Sequence, residues 1–338
     1  MILKPTVSII IPCRNEANYI AKNIDAILTQ DYAGDFEVLI VDGMSDDGTR
    51  GIVSGYSDER VRLIDNEARF TPHALNLGVD NSKGEIFIIL GGHAFLNVDF
   101  VSKNVAVLLN DSTIGCAGGQ IMNIYENKAG ELISKAMSSA FGVGNATFRV
   151  GGEAGFVDTV AFGAYWKKIH YEIGGFDEDL VRNQDDEYNY KVTKAGYKIF
   201  FDPSIVSNYY VRGSVSKLYK QYYQYGYWKV YVNKKHKTIT TIRQMVPLFF
   251  VLGLMGGILI SLFLPLFWWI VLAGVGLYTV LALASGLKAS KSLFEGFKIA
   301  CIFPVLHFSY GFGYLVGIIQ FLLLNKKPSS RSKDSTRG

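Results

Sequence analysis

The chain has 338 residues, with 34 Lys and Arg against 30 Asp and Glu, and a mean hydropathy of +0.18. That length allows one large domain or two ordinary ones, and the hydropathy is high for a wholly soluble protein. Residues 1–211 carry 18 basic against 28 acidic side chains, a net of −10, while residues 212–338 carry 16 against 2, a net of +14; an acidic part joined to a basic, apolar part argues against nucleic acid as the partner and for an anionic membrane surface.

Cys13, Cys116 and Cys301 are odd in number and far apart, which suits neither a metal site nor a disulfide framework and suggests a reducing compartment. The first residues, Met1-Ile2-Leu3-Lys4-Pro5, lead into a strand and do not read as a signal peptide.

In chain order, Val7-Ser8-Ile9-Ile10-Ile11 predicts a buried strand stopped by Pro12, with Asn15-Glu16 in the loop and a helix from Ala17 to Leu28. Val38-Leu39-Ile40-Val41 predicts a second buried parallel strand. It empties into Asp42-Gly43-Met44-Ser45-Asp46-Asp47-Gly48-Thr49, from which Asp47 or Thr49 caps the next helix. In an open α/β sheet ligands bind at the carboxyl ends of strands. Three aspartates there would repel a diphosphate. They can accept from a base, bind a ribose hydroxyl, hold a metal, or merely build an Asp/Gly-rich turn.

Val61–Ile64 predicts a third strand, Pro72–Val79 a helix, and Glu85–Leu90 the most apolar strand, opening onto Gly91-Gly92-His93-Ala94. A helix follows from Asp99-Phe100, then a strand over Ile114–Ile124 and a helix over Lys128–Phe141. Val143–Gly155 reads as a Gly-rich loop over a site, Val157–Ala161 as a short strand, and Tyr165–Ile173 as a helix. Asp185-Asp186-Glu187 opens a helix that stops at Gly196, and Lys198–Phe201 is a strand ended by Asp202-Pro203.

The C-terminal part differs in kind. Ser216–Tyr231 interleaves tyrosines and Trp228 with Lys217, Lys220 and Lys229, a composition for the headgroup layer or for docking on the catalytic domain. The domain reading is 1–211 catalytic, 212–244 interfacial, 245–325 transmembrane and 326–338 a disordered basic tail. Apolar stretches at 246–264, 266–284 and 299–324 each approach the roughly 20 residues that one crossing needs. Lys288, Lys291 and Lys298 place the loop after the second span in the cytoplasm. The third stretch, broken by Pro304, His307 and glycines, spans or re-enters; His307 reads as a polar helix–helix contact.

Five features fall in order: Ser8-Ile9-Ile10-Ile11-Pro12 with Asn15-Glu16; Val41-Asp42 with Ser45-Asp46-Asp47-Gly48-Thr49; Ala74-Leu75-Asn76-Leu77-Gly78; Gly174-Gly175-Phe176-Asp177-Glu178; and Gln184-Asp185-Asp186-Glu187. Together they resemble the family 2 inverting glycosyltransferases, over about residues 5–230. The likeness is to bacterial exopolysaccharide enzymes of the succinoglycan glucosyltransferase type. The resemblance implies an α/β GT-A fold: a Rossmann-like, mostly parallel mixed sheet with helices on both faces, here followed by C-terminal transmembrane helices.

It also implies roles. Pro12, Arg14, Asn15 and Glu16 would line the nucleotide pocket, and Asp42 would hydrogen-bond the base with Ser45, Asp46 and Asp47 beside it. Arg69 would approach the diphosphate and Asn76 support that loop. Gly91 and Gly92 would lie against the donor. The family places Asp-x-Asp where this chain reads Gly91-Gly92-His93, so His93 alone remains to hold a divalent ion, Mn2+ or Mg2+. Asp185 aligns with the catalytic base, and Asp186 and Glu187 are its neighbours in sequence. The run Gln221-Tyr222-Tyr223-Gln224-Tyr225 lacks the Arg and Trp of the processive motif Gln-x-x-Arg-Trp, which implies one sugar per encounter.

The expected activity is transfer of one sugar from a nucleotide sugar of the UDP type to a polyprenyl-phosphate-linked acceptor at the cell membrane. The competing reading is a catalytically silent scaffold of a glycan assembly complex, motivated by Gly91.

Overall fold

The computed structural model describes residues 4–328. Residues 329–338 of the basic tail lie outside them.

The elements run β1 (Val7–Cys13), α1 (Ile20–Leu28), β2 (Phe36–Asp42), α2 (Thr49–Ser54), β3 (Val61–Asp65), α3 (Thr71–Asn81), β4 (Ile86–Ile89), β5 (Ala94–Leu96), α4 (Phe100–Asn110) and β6 (Ile114–Ile124). Next come α5 (Lys128–Met137), α6 (Ala140–Val143) and α7 (Thr147–Val150), then β7 (Gly155–Val157), β8 (Ala161–Trp166), α8 (Lys167–Ile173), α9 (Gln184–Lys194) and β9 (Lys198–Tyr210). The remainder is helical: α10 (Val215–His236), α11 (Val246–Ser261), α12 (Phe267–Lys288), α13 (Leu293–Ala300) and α14 (Ile302–Gly317), the last widening into a π-helical turn over Ile318–Leu323.

The described residues form two compact units, 4–122 with 151–210 and 123–150 with 211–328. Residues 123–150, kept in the first domain by the sequence reading, group with the C-terminal part.

The strands form one mixed sheet in the order β3-β2-β1-β4-β8-β6-β9-β5, with β7 on β9. Pairing is parallel among β3, β2, β1 and β4 and antiparallel from β4 to β8 and from β8 to β6. Strand side chains alternate between faces. Ile9, Ile11, Val38 and Ile40 share one buried cluster with Ile20, Ile24 and Ile27 of α1 and with Val101 and Val105 of α4. On the other face α3 lies so close that a Cβ at Gly78 would fall on the Ile10 side chain. Both faces of the parallel half are covered, which is why its strands read as unbroken apolar runs.

Several boundaries differ from expectation. β1 continues through Pro12, because β4 stops pairing at Ile10 and Leu90, so the missing N–H costs no ladder bond. The stretch expected to be helical from Ala17 becomes so only at Ile20. The loop after Gly91 contains β5, a strand too short to show a period. The helix expected over 128–141 breaks at Ser138, and the loop over 143–155 holds α7. The strand expected at 157–161 resolves into β7 and β8, and Tyr165-Trp166 are strand, not helix. β9 passes through Asp202-Pro203 at the point where it leaves β7 and has yet to meet β5.

In the second unit three helical segments are long and apolar enough to cross a membrane, Ile242–Ser261, Phe267–Lys288 and Leu293–Leu323. α11 and α12 expose Phe249, Leu259, Trp269, Leu272 and Leu277, a surface suited to lipid rather than water. α10 buries Trp228 and packs Tyr227, Trp228 and Tyr231 around Phe321, so its aromatics dock on the C-terminal helix. His307 bridges Tyr278 Oη (2.8 Å) and the Phe141 carbonyl (2.9 Å), a polar helix–helix contact.

Candidate active site

The loops after β1 and β2 are sewn together by their own polar groups. Asn15, in the left-handed region at φ 59, donates its N–H to Ser45 Oγ and exchanges side-chain bonds with Asp46. Glu16 N–H donates to Thr49 Oγ1, and Ala17 N–H to Asp47 Oδ2. Asp47 also accepts from the Thr49 amide and hydroxyl, so Asp47 rather than Thr49 satisfies the start of α2.

Asp42, at the end of β2, is fully buried. Its Oδ2 accepts from the Ser45 amide (2.9 Å) and Arg50 Nη1 (2.9 Å), and its Oδ1 from the Ser45 hydroxyl and Cys13 Sγ. Burial alone would raise its pKa, but the Ser45 bonds and the Arg50 charge outweigh burial and hold it below the usual range. Burial, together with Asp42 and Glu16, pushes the Cys13 thiol up, so it stays neutral.

With four donors around its two oxygens, Asp42 has no lone pair left for a base unless Ser45 or Arg50 moves. The acidic loop is thus held together by its own polar groups. Arg50 was not singled out in the sequence, since only the fold brings it between Asp42 and Asp65.

Beside Gly43 lie the stem of Arg14 and the backbone of Arg69. A Cβ at Gly43 would lie 3.4 Å from Arg14 Cβ and Cδ and 3.4 Å from Arg69 Cα. Arg69 sits at φ 64 in a turn closed by the buried Asn66, which donates to the Asp42 and Phe70 carbonyls. Pro12, half-buried, precedes this cluster in β1.

The turn after β4 is equally determined. Asn23, fully buried in α1, donates to the carbonyls of Gly91 (3.0 Å) and Ala94 (2.6 Å). His93 Nδ1 lies 3.0 Å from Glu16 Oε1, and a Cβ at Gly92 would lie 2.9 Å from Glu16 Cγ. Glu16 therefore faces His93 rather than standing open to a base. Among the described residues no group of three or more His, Cys, Asp or Glu comes together in a way that could hold a metal. One imidazole with no second ligand in its turn is a poor fit to a divalent ion that prefers several oxygen ligands.

The acid cluster reaches the same sheet edge. α9 ends beside the start of β9, where Tyr197 N–H donates to Val192 O and Lys198 N–H to Thr113 O just before β6. Nearer its start, Asn189 donates to Thr159 Oγ1 (2.7 Å) and Val160 O (3.2 Å) and accepts from Tyr165 Oη (2.8 Å). Residues 159–160 enter β8, which is antiparallel to β4, so they lie at the carboxyl end of β4. There a Cβ at Gly91 would sit 3.6 Å from the Phe162 ring. The first turn of α9 and the loops after β1, β2 and β4 therefore share one edge. Exposure separates the three carboxylates: Asp185 is exposed, Asp186 half-buried, and Glu187 fully buried.

Asn76 does not support the Arg69 turn as expected. Its amide donates to Phe176 O and Glu178 Oε1, and its Oδ1 accepts from Phe176 N–H at 2.8 Å, fastening the 174–178 segment to α3. Asn76→Ala is expected to lower stability by about 2 kcal/mol through two lost backbone partners, read as a fall in thermal midpoint.

Beneath that segment His170 is buried against Phe87, Phe176 and Tyr188, and burial pushes its pKa down from 6.5 to about 4. The unfolded chain takes up the proton first, so stability is fully present above pH 6.5 and is lost as pH falls towards 4. The loss attributable to His170 is about 3 kcal/mol at most; urea unfolding of His170→Gln is expected to show a correspondingly shallower decline over this window.

Comparison with known proteins agrees with the fold and the motifs. The profile of glycosyl transferase family 2 matches residues 8–174. A Methanococcus voltae protein, the dolichyl N-acetyl-alpha-D-glucosaminyl phosphate 3-beta-D-2,3-diacetamido-2,3-dideoxy-beta-D-glucuronosyltransferase, is 36% identical over 230 residues, 65% of this chain and 71% of that one. The succinoglycan biosynthesis protein ExoA of Rhizobium meliloti is 26% identical over 328 residues, 93% of this chain and 95% of its own. Among solved structures, the mannosyltransferase PcManGT of Pyrobaculum calidifontis, in complex with GDP-Man and Mn2+, superposes with a TM-score of 0.59 at 21% identity, covering 96% of this chain and 89% of that one, a likeness of fold. The profile covers the strands and loops that build the candidate site through the first glycine of the 174–178 segment, and the motif resemblance is met by relatives matched along most of their length: the chain belongs to glycosyl transferase family 2 and is a glycosyltransferase.

Proposed function

We propose that the protein is a membrane-anchored inverting transferase that moves one sugar from a nucleotide sugar, of the UDP type, to a lipid-linked glycan. The observation that carries this reading is the placement, at one sheet edge, of two arginines that make no ion pair among the described residues and an exposed carboxylate at the start of an eleven-residue helix.

In this reading the donor lies across the ends of β1, β2 and β4 with its diphosphate towards Arg14 and Arg69. Asp185 takes the proton of the acceptor hydroxyl as that oxygen attacks C1 of the sugar. The bond from C1 to the phosphate oxygen breaks on the opposite face and its electron pair leaves with the diphosphate, inverting the anomeric centre. The positive end of α9 favours a negative side chain in that first turn. Glu187, sealed from solvent, serves the helix rather than the reaction.

The lipid-linked acceptor is supported by the three apolar helices, by the basic second unit, and by the dolichyl phosphate in the name of the Methanococcus relative. Lys288, Lys291 and Lys298 after the second span favour a multi-pass protein of the cell membrane with its catalytic unit in the cytoplasm. The scaffold reading retains one supporting feature, Gly91 in place of a carboxylate.

The test supplies membranes containing the full chain with labelled sugar nucleotides and polyprenyl-phosphate-linked acceptors. Incorporation by wild type and not by Asp185→Asn is expected. No incorporation with any donor would favour the scaffold.

A further inference from the structure

The turn that should present two carboxylates to a metal presents none, and the geometry points to what replaces it. We propose that the donor's diphosphate is held by Arg14 and Arg69, with no divalent ion bridging it to the protein. This rests on the donor-site reading above and deepens it.

The turn at residues 91–94 is closed on itself. Ala94 N–H donates to Gly91 O, and Asn23 clamps both carbonyls from below. Behind it, Glu16 fills the space that a side chain at position 92 would need and takes His93 Nδ1. A hard divalent cation would find one imidazole and no carboxylate aimed outward from this turn.

The charge required by a diphosphate is available on the neighbouring loops. Arg50 is already spent on Asp42 and Asp65. Arg14 and Arg69 make no ion pair with a carboxylate among the described residues, and Arg14 Nε is shielded from solvent with no hydrogen-bond acceptor. An arginine held without a counter-ion gains from a bound anion. A guanidinium fork matches two phosphate oxygens, and two forks can match the charge of a diphosphate. A Cβ at Gly43 would rest in ordinary contact on the Arg14 stem and the Arg69 backbone, so glycine leaves that space unfilled.

The experiment measures UDP and GDP binding by the full chain in detergent, by calorimetry, in EDTA and in Mn2+. The dissociation constant of the preferred nucleotide is expected to agree within about threefold between the two buffers, and Arg14→Gln and Arg69→Gln each to weaken it about tenfold or more in both. Arg14→Lys, which keeps charge but loses the fork, falls between. A tightening of about tenfold or more with Mn2+ in wild type, or glutamine variants that bind as wild type does, would overturn the proposal. Gly91→Asp, whose new side chain has room beside Phe162, is expected to acquire that Mn2+ response; no gain over wild type would remove Gly91 as the missing ligand position. Failure of both nucleotides to bind in either buffer overturns the donor-site reading itself, and so is told apart from a metal-dependent donor site.

Discussion

Asp185→Asn is expected to lower kcat by about 10²- to 10⁴-fold, the share of the barrier that a positioned general base removes. The amide is nearly the same shape as the carboxylate and cannot take a proton. Its Oδ1 can still accept from the Asp186 N–H, which Asp185 does at 2.9 Å, so the first turn of α9 survives the change. Donor KM should therefore move little, because a base acts in the transition state more than on bound donor. Two companion variants sharpen the assignment. Glu187→Gln alters a carboxylate with no exposed surface, so its effect is expected in the thermal midpoint rather than in kcat. Asp186→Asn alters a half-buried group on the same turn and is expected to cost less than Asp185→Asn. Steady-state transfer at saturating donor separates the three. If Asp186→Asn were the silent enzyme and Asp185→Asn the active one, the base would be Asp186 and the motif alignment would be off by one residue. If all three retained turnover, the acid cluster would be a helix start and nothing more.

The parts of the fold written in local pattern were legible, and the parts written in long-range pairing were not. β2 and β6 follow from unbroken apolar or Gly-rich runs, because a strand covered on both faces has no polar side to interrupt it. β5 has three residues and exists only because β9 lies beside it. β9 survives Pro203 for a reason that no window of sequence contains, the hand-over from one partner strand to another.

The site divides in the same way. Residues with the right chemistry at the right strand ends could be named, but their employment could not. Asp42, Asp46 and Asp47 look like ligands for a nucleotide, but Asp46 and Asp47 accept from Asn15 and Ala17, some 30 residues away, while Asp42 is taken up by Ser45 and Arg50. Asn76 finds its partner 100 residues on. His93 was read against a metal, and Glu16 against a base; the fold sets them against each other.

Gly313→Ala is expected to destabilise the second unit by about 3–5 kcal/mol, at the severe end for one methyl group. A Cβ at that position would fall on the Tyr223 carbonyl oxygen of α10. Gly226 of α10 meets the Tyr310 carbonyl of α14 in the same way, and Gly317 would bring its Cβ to 2.7 Å from the Tyr227 carbonyl. The glycines of the third apolar stretch, which looked like interruptions of a span, form the seam along which α10 and α14 touch backbone to backbone. Against an apolar solvent, helices gain little by burying more hydrocarbon, so close approach through small residues becomes the main attraction. A backbone carbonyl cannot step aside as a flexible side chain can, and the helices must part. Three glycines in α11 and α12, Gly253, Gly274 and Gly276, have nothing within 4 Å of their Cβ positions. Alanine there is expected to be neutral or slightly stabilising by helix propensity. Thermal unfolding of the full chain in detergent should therefore fall sharply for Gly226→Ala and Gly313→Ala and hold for the three controls. Equal behaviour of both groups would mean that α10 rests loosely on α14, and that the aromatic cluster around Phe321 holds the two together instead.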